Sequence, residues 1–515
     1  MTGAPVLPPG IEHPGGSRQS VELPADELLA SATDLLRQGY RLALVAAVDA
    51  SGPLRVTYLF TSGPPDRRLE LTVAVDRRRP QVPSLAGISF PAGRFEREMH
   101  DLFGIVPIGH PFLRRLVLHQ HWPEGWYPMR QDAGPVPVMV DDAGSYPFVE
   151  VQGSGVYEIP VGPVHAGLIE PGHFRFSVVG ETILKMKARL WFVHKGIERL
   201  FEGQGSDEGV VLAERISGDS AVGHGLAYCM AVEEARGIEV DQGTCELRCL
   251  LLELERLYNH VADVGALCND VGFGLAQARA LTLRERLLRL NASVTGHRLL
   301  RGAITPGEVR VRALPRDAEL REIAERFHEL VELARGQSTV VDRFTGTAVL
   351  GAEDAAALGV LGVVARASGS TLDARVAHPT GAPLMTGFSP AGARTGDVLA
   401  RFDVRVEEAE ASLAMLSDRC TTSGAPRSSS HRAFNGRGRR TRTASAAGTG
   451  IVEGWRGSVV HRVEVDESGR LVRVKIVDPS FFNWPALSLA LADTIVPDFP
   501  LVNKSFNLSY AGNDL

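Results

Sequence analysis

No uninterrupted apolar run in the sequence approaches the about 18 residues that a membrane-spanning helix needs. Any attachment to a membrane is therefore expected to run through partner proteins. Cysteine is scarce: Cys229, Cys245, Cys249, Cys268 and Cys420 are the five, an odd number with no C-x-x-C spacing among them. Met1 to Gly16 is rich in Pro and Gly and has none of the apolar stretch of a secretory signal. Together these features argue against a disulfide-built secreted scaffold and predict free thiols in a reduced, cytoplasmic setting. No Rossmann glycine fingerprint and no P-loop is present, so the chain is not expected to bind NADH itself. The formal net charge of −6 shows no basic surplus, so nucleic acid is not an expected partner.

What is present is an ordinary globular composition, 44% apolar and 23% charged, over 515 residues. That length exceeds one hydrophobic core and predicts two or three domains. Residues 1–20 read as a disordered leader. Ala25–Tyr40 has helical spacing, and strand-like runs follow at Arg41–Val48, Leu54–Thr61 and Leu69–Val75. These place a small α/β domain over about 21–130, followed by a Pro- and Gly-rich linker over 131–155. From 156 to 515 the pattern is mostly helical. Leu247, Leu250, Leu254, Leu257, Val261, Val264 and Leu267 form one apolar stripe. Further helices are expected at Gln277–Leu300, Asp317–Arg335 and Gly396–Leu416, with strands at Ser458–Val465 and Leu471–Ile476. The fold class is α+β, with β-structure flanking the helical domain. An Arg-rich stretch at 425–448, which includes RSSSHRAFNGRGRRTR, carries six Arg and no acid in that run. It reads as a solvated loop, with a phosphate- or lipid-facing patch as the sharper alternative.

Several motifs stand out. Glu96-Arg-Glu-Met-His-Asp-Leu-Phe-Gly-Ile105 continues through Gly109-His110-Pro111 and Leu113-Arg114-Arg115 to Trp122-Pro123. Its charges suit a helix end, a subunit contact or a surface turn. Downstream, His165, His173 and His194 lie with Arg175 and Glu198 within 40 residues, a candidate polar cluster. Glu198 reads most simply as one member of an ion pair with a neighbouring arginine. Glu214-Arg-Ile-Ser-Gly-Asp-Ser-Ala-Val-Gly-His224 is a third motif, and Lys504-Ser-Phe-Asn-Leu-Ser-Tyr-Ala-Gly-Asn-Asp-Leu515 a fourth.

The combined set resembles group 4 NiFe-hydrogenase large subunits of the formate hydrogenlyase type, which are related to the fused C and D subunits of respiratory complex I. The likeness spans roughly residues 90–130, 155–300, 360–418 and 450–515. It includes Ala365-Arg-Ala-Ser-Gly369 with Asp373 and Arg375, and Gly396-Asp-Val-Leu-Ala-Arg401 with Arg405 and Glu408. The resemblance implies a C-subunit-like scaffold domain and then a hydrogenase-type large-subunit domain. It also implies a second reading of Glu198, which matches a hydrogenase glutamate that lies beside the metal and passes protons: a partly buried carboxyl with a raised pKa that relays protons without a metal. In such hydrogenases two cysteines in the third motif and two in the fourth hold nickel and iron. Here Ser217, Ser220, Ser509 and Gly512 stand at those positions. A hydroxyl stays protonated near neutral pH and is a hard, weak ligand where a thiolate is soft, and glycine offers none. Gly218 stands where complex I versions carry a quinone-ligand tyrosine.

The expectation is thus a chain with no metal and no cofactor of its own, with Glu198, His165, His173, His224 and Arg366 as the candidate site. Cys245 and Cys249, i, i+4 on the apolar helix, are a weaker alternative metal site and read more simply as core. The resemblance implies partners as well: a small iron–sulfur subunit holding the cluster that supplies electrons, a ferredoxin-like subunit, and antiporter-like membrane subunits. These would bring the chain to the cytoplasmic face of the membrane as a peripheral subunit, with a quinone as one acceptor the family allows. Two functions follow as expectations, electron transfer with coupled proton chemistry, or a catalytically silent scaffold that transmits conformational change.

Overall fold

The computed structural model describes residues 11–13, 16–50, 52–139, 144, 146–167, 169–381, 387–422 and 446–515. The chain divides into two compact units, residues 1–149 with 376–378, and residues 150–375 with 379–515.

The first unit is built on a five-stranded sheet. Its order is Ile11–His13, Gly16–Glu22, Asp66–Val75, Leu54–Ser62, Arg41–Val48. The Gly16–Glu22 strand runs parallel to Asp66–Val75 and the other pairs are antiparallel. Residues 16–20, expected within a disordered leader, are thus strand. The Asp66–Val75 strand gives their backbone N–H and C=O groups partners that a free leader lacks. Residues 1–10 of that leader lie outside the described residues. Arg41–Val48 is buried from Leu42 onward, which explains its nearly unbroken apolar run.

The ERE-x-x-D motif lies on the Phe90–Phe103 helix and faces inward rather than towards solvent. Glu96 accepts from Ser84 Oγ and from the Leu85 amide, each at 2.6 Å, and Asp101 Oδ2 accepts from the amides of Leu116 and Val117 at 2.7 and 2.8 Å. The motif is a loop anchor. Burial, partly offset by the bonds from Ser84 and Leu85, pushes the Glu96 carboxyl up to about 7.

The second unit packs five long helices and a three-stranded meander around one core. The helices are Ala221–Arg236, Gln242–Asp270, Gly274–Thr295, Asp317–Arg335 and Val398–Thr422. The meander is Ala446–Gly454, Gly457–Val465 and Leu471–Val477. Residues 446–448, counted with the Arg-rich loop, open its first strand, and the whole RSSSHRAFNGRGRRTR run, residues 427–442, lies outside the described residues. From Leu250 to Leu267 the predicted apolar stripe is fully buried, while Leu247 is half-buried. Each such side chain contributes about 1.5–3 kcal/mol. The Gln242–Asp270 helix starts at Asp241, whose side chain accepts from the Thr244 amide at 3.0 Å. The Ala221–Arg236 helix lies directly on the Ala446–Gly454 strand because Gly450 has no side chain. A Cβ there would collide with the Ala227 carbonyl.

A second three-stranded sheet, ordered Thr182–Arg189, His173–Val179, Val156–Val161, carries the His173 motif. Among the described residues no helix is long and apolar enough to cross a membrane.

Candidate functional site

The four positions that would hold thiolates converge. Residues 217–220 precede the Ala221–Arg236 helix, and residues 509–512 lie at the start of the short Tyr510–Asp514 helix. Ser217 Oγ and Ser509 Oγ are 2.9 Å apart, and Ser509 Oγ accepts from the Gly512 amide at 2.9 Å. Ser217 also donates to Asp219 Oδ1 at 2.9 Å, and Ser220 Oγ lies 3.4 Å from the same oxygen. Asp219 in turn forms a two-pronged ion pair with Arg456, at 2.7 and 2.6 Å, and Arg456 Nε donates to the Asn507 carbonyl at 2.5 Å. Burial would raise the Asp219 pKa, but Arg456 outweighs it and holds the carboxyl at about 2. Trp455 Nε1 donates to the Asp219 carbonyl at 2.9 Å. The two loops are therefore joined by hydroxyls and one ion pair.

A hydrogen-bonded trio backs this cluster. His224 Nε2 donates to Asp478 Oδ2 at 3.1 Å, and His224 Nδ1 lies 3.0 Å from His461 Nε2. All three are buried. Burial, reinforced by His224, keeps His461 neutral. Burial would raise the Asp478 carboxyl, but its bond from His224 brings it below its ordinary value. Asp478 lies directly behind Gly512. A Cβ at position 512 would sit 2.5 Å from Asp478 Cγ, and Asp478 is fixed by His224 on one oxygen and by the Ser480 amide on the other. Glu255, which the sequence did not single out, accepts from the amides of Val222 at 2.7 Å and Gly223 at 2.9 Å, at the start of the helix that carries His224. Burial overrides those two bonds and pushes it up to about 8.

The other candidates disperse. Glu198 is buried, yet it binds Arg473 Nη2 at 2.6 Å, Lys475 Nζ at 3.1 Å and the Ile476 amide at 3.0 Å. Burial alone would raise its pKa, but Arg473, then Lys475, bring it below the usual carboxylate value. The raised pKa anticipated for a proton-passing group is therefore not what these neighbours produce. His165 Nε2 lies 3.3 Å from the Tyr510 hydroxyl, and His173 Nδ1 3.2 Å from the Gly162 carbonyl. His194 Nδ1 donates to the Asp514 carbonyl at 2.7 Å, and Glu170 accepts from the Ala511 amide at 2.9 Å. His165, His194 and Glu170 thus hold the Tyr510–Asp514 helix in place, His173 braces the Gly162 loop, and none of these bonds reaches Glu198. Arg366 bonds Glu408 and Glu453 in a separate buried network.

The donor set at the converging positions does not fit a nickel–iron centre: three hydroxyls already committed to one another and to Asp219, and a glycine whose Cβ space is occupied by Asp478. Cys245 and Cys249 do not replace it. Cys249 Sγ lies 3.0 Å from the Thr380 hydroxyl, and burial raises both thiols. Among the described residues no group of three or more His, Cys, Asp or Glu is placed to hold a metal ion.

Comparison with known proteins agrees with this architecture. Residues 21–136 match the family described as the 30 kDa subunit of respiratory-chain NADH dehydrogenase, and residues 270–514 match its 49 kDa subunit. Formate hydrogenlyase subunit 5 of Escherichia coli is 30% identical over 457 residues, covering 87% of this chain and 79% of that protein. Hydrogenase-4 component G of the same species is 33% identical over 433 residues, covering 81% and 73%. A chain of the membrane-bound sulfane sulfur reductase, an archaeal respiratory membrane complex, superposes with a TM-score of 0.60 at 26% identity, covering 70% of this chain and 99% of that one. The chain therefore belongs to the family of group 4 hydrogenase-related large subunits, whose two domains are those of the complex I 30 kDa and 49 kDa subunits.

Proposed function

We propose that this protein is the large subunit of a membrane-associated oxidoreductase complex that works without a nickel–iron centre. By their descriptions the relatives are a subunit and a component of larger assemblies, and the solved relative belongs to a respiratory membrane complex. On this reading a small iron–sulfur subunit docks on the large-subunit unit and supplies electrons. A ferredoxin-like subunit and antiporter-like membrane subunits complete the assembly, and this chain is peripheral on the cytoplasmic face. A quinone is one acceptor that such an assembly uses, although no tyrosine occupies position 218. Coupled proton chemistry falls to buried groups beside the closed cluster: His224 with Asp478, and Glu255.

The observation that carries this reading is the cross-bonding of Ser217, Ser509 and Gly512, which occupies the place of the thiolates. The alternative, a silent scaffold that transmits conformational change, draws support from Glu198, whose carboxylate is held between two cations.

The test is elemental analysis of the purified complex by plasma mass spectrometry, paired with hydrogen-dependent dye reduction in cells grown with excess nickel. Iron at the level of copurifying iron–sulfur clusters, with no stoichiometric nickel and no hydrogen-dependent reduction, is expected. About one nickel per chain would overturn the reading.

A further inference from the structure

A second block of buried charge lies apart from the hydroxyl cluster. Glu253, Arg256 and His260 recur at helical spacing on the Gln242–Asp270 helix. Arg366, Asp373 and Arg375 come from the 362–377 segment. Glu408 projects from the Val398–Thr422 helix and Glu453 from the Ala446–Gly454 strand. None of these eight side chains belongs to a residue more than 7% exposed. Arg366 reaches Glu408 Oε1 through Nε at 2.9 Å and Nη2 at 2.5 Å, and Glu453 Oε1 through Nη1 at 2.8 Å. Arg375 grips Asp373 at 2.7 Å, Arg256 donates to Glu253 at 3.1 Å, and His260 Nε2 lies 2.8 Å from Glu408 Oε2.

The charges do not balance. Four carboxyls face three guanidiniums. Of the neighbouring ionic groups, Arg405 is answered by Asp263 at 2.9 Å and Arg456 by Asp219 at 2.6 Å, Glu255 is turned to the Val222 and Gly223 amides, and Arg401 points away from the network to Ser505 and the Gly396 and Ala348 carbonyls, with Asp397 as its acidic neighbour. A net negative charge in such an interior is strongly disfavoured, so the network needs one further proton. Two groups can carry it. His260 has no acceptor for a proton on Nδ1 among the described atoms, so the imidazolium would bury an unmet donor. Glu453 Oε2 has two neighbours at 2.9 Å: the Ala374 amide, which donates to it, and Ser458 Oγ, a hydroxyl that accepts as well as donates and so can take a proton from Oε2. The environment points the same way: burial and then Asp373 raise the Glu453 carboxyl, while burial lowers His260.

We propose that this network is a proton-holding site, in which Glu453 carries one exchangeable proton at neutral pH and His260 is its alternative station. Transfer converts a carboxylic acid and a neutral imidazole into a carboxylate and an imidazolium, with no electrons moved and the net charge of the network unchanged. Its service in coupled turnover rests on the function proposed above, but the presence of the proton does not.

The test is infrared spectroscopy of the purified protein at pH 7, with and without transfer to deuterium oxide, on the wild type and on Glu453→Gln, Glu255→Gln and Glu408→Gln. A protonated-carboxyl band that shifts in deuterium oxide is expected to vanish in Glu453→Gln and to survive in Glu255→Gln. Glu453→Gln keeps the charge of the neutral acid but sets an NH2 against either the Arg366 guanidinium or the Ala374 amide, so its melting temperature should fall less than that of Glu408→Gln, which strips a carboxylate from Arg366 and should fall by about 5 °C or more. Persistence of every carboxyl band in Glu453→Gln would overturn the proposal. So would a loss of stability, or failure to fold, matching that of Glu408→Gln. No partner or turnover is needed, so this result stands apart from the nickel and hydrogen assays.

Discussion

Ser217 and Ser509 share a hydrogen bond of 2.9 Å although 292 positions separate them in sequence. That bond joins the loop before the Ala221–Arg236 helix to the start of the Tyr510–Asp514 helix. Hydroxyls and an ion pair thus make a connection that elsewhere in the family is expected of metal-bound thiolates.

This proximity is directly testable. In a Ser217→Cys/Ser509→Cys double variant the two sulfurs need approach only to the about 2.0 Å of a disulfide bond. Mild oxidation should close it, and intact mass after alkylation should show no labelling at these two sites. Full alkylation of both after oxidation would mean the loops are not held together.

Gly512 should not accept a side chain. Gly512→Ala would push a Cβ against Asp478, which His224 and Ser480 fix. The overpacking should cost about 1–3 kcal/mol in urea denaturation, and Gly512→Cys should cost at least as much. Restoring all four cysteines is therefore expected to lower stability without recovering stoichiometric nickel. A Gly512→Ala variant as stable as the wild type would remove the steric part of this account.

Asp219→Asn leaves Arg456 without its counter-charge. The Asp219 side chain keeps 38% of its surface exposed, so solvent screens the pair and the loss should be about 1–2 kcal/mol at pH 7. The sign with pH follows from the lowered carboxyl. A folded value of about 2 against an unfolded value of about 3.9 stabilises the protein above pH 4, and that stability is lost as pH falls towards 2. Wild type and variant should converge in acid, which paired denaturation curves at pH 7 and pH 3 will show.

Glu198→Gln separates structure from proton transfer. Arg473 and Lys475 both bond this buried carboxylate, and its loss should cost about 3–5 kcal/mol near neutral pH. Its folded pKa is lowered, so the contribution is present above about pH 4.3 and fades as pH falls below that. Thermal melts at pH 7 and pH 4 check this. Unchanged stability with reduced turnover of the complex would instead favour the proton-passing role.

Much of the scaffold was legible in the chain itself. Strand Arg41–Val48 and helix Asp317–Arg335 have the anticipated bounds, because an unbroken apolar run and an amphipathic spacing are local signals. The replacement of thiols at 217, 220, 509 and 512 is likewise a matter of residue identity. The partners of Glu198 were not legible. Whether a buried carboxyl is raised or lowered depends on which cations a distant strand delivers, and Arg473 lies 275 positions away. The same holds for Glu255, an acid inside an apolar helix that alternates with leucines and looks like one more charged residue until the Val222 and Gly223 amides are seen above it.

Sequence alone determined the family, the loss of the thiolates and the acids and bases available to the interior, because each is a property of residue type and spacing. Only the tertiary structure decided what fills the vacated ligand positions and which charges meet. Hydrogen bonds and ion pairs act over a few ångströms in space, and the fold brings Ser217 to Ser509, Asp219 to Arg456 and Glu198 to Arg473 across hundreds of residues.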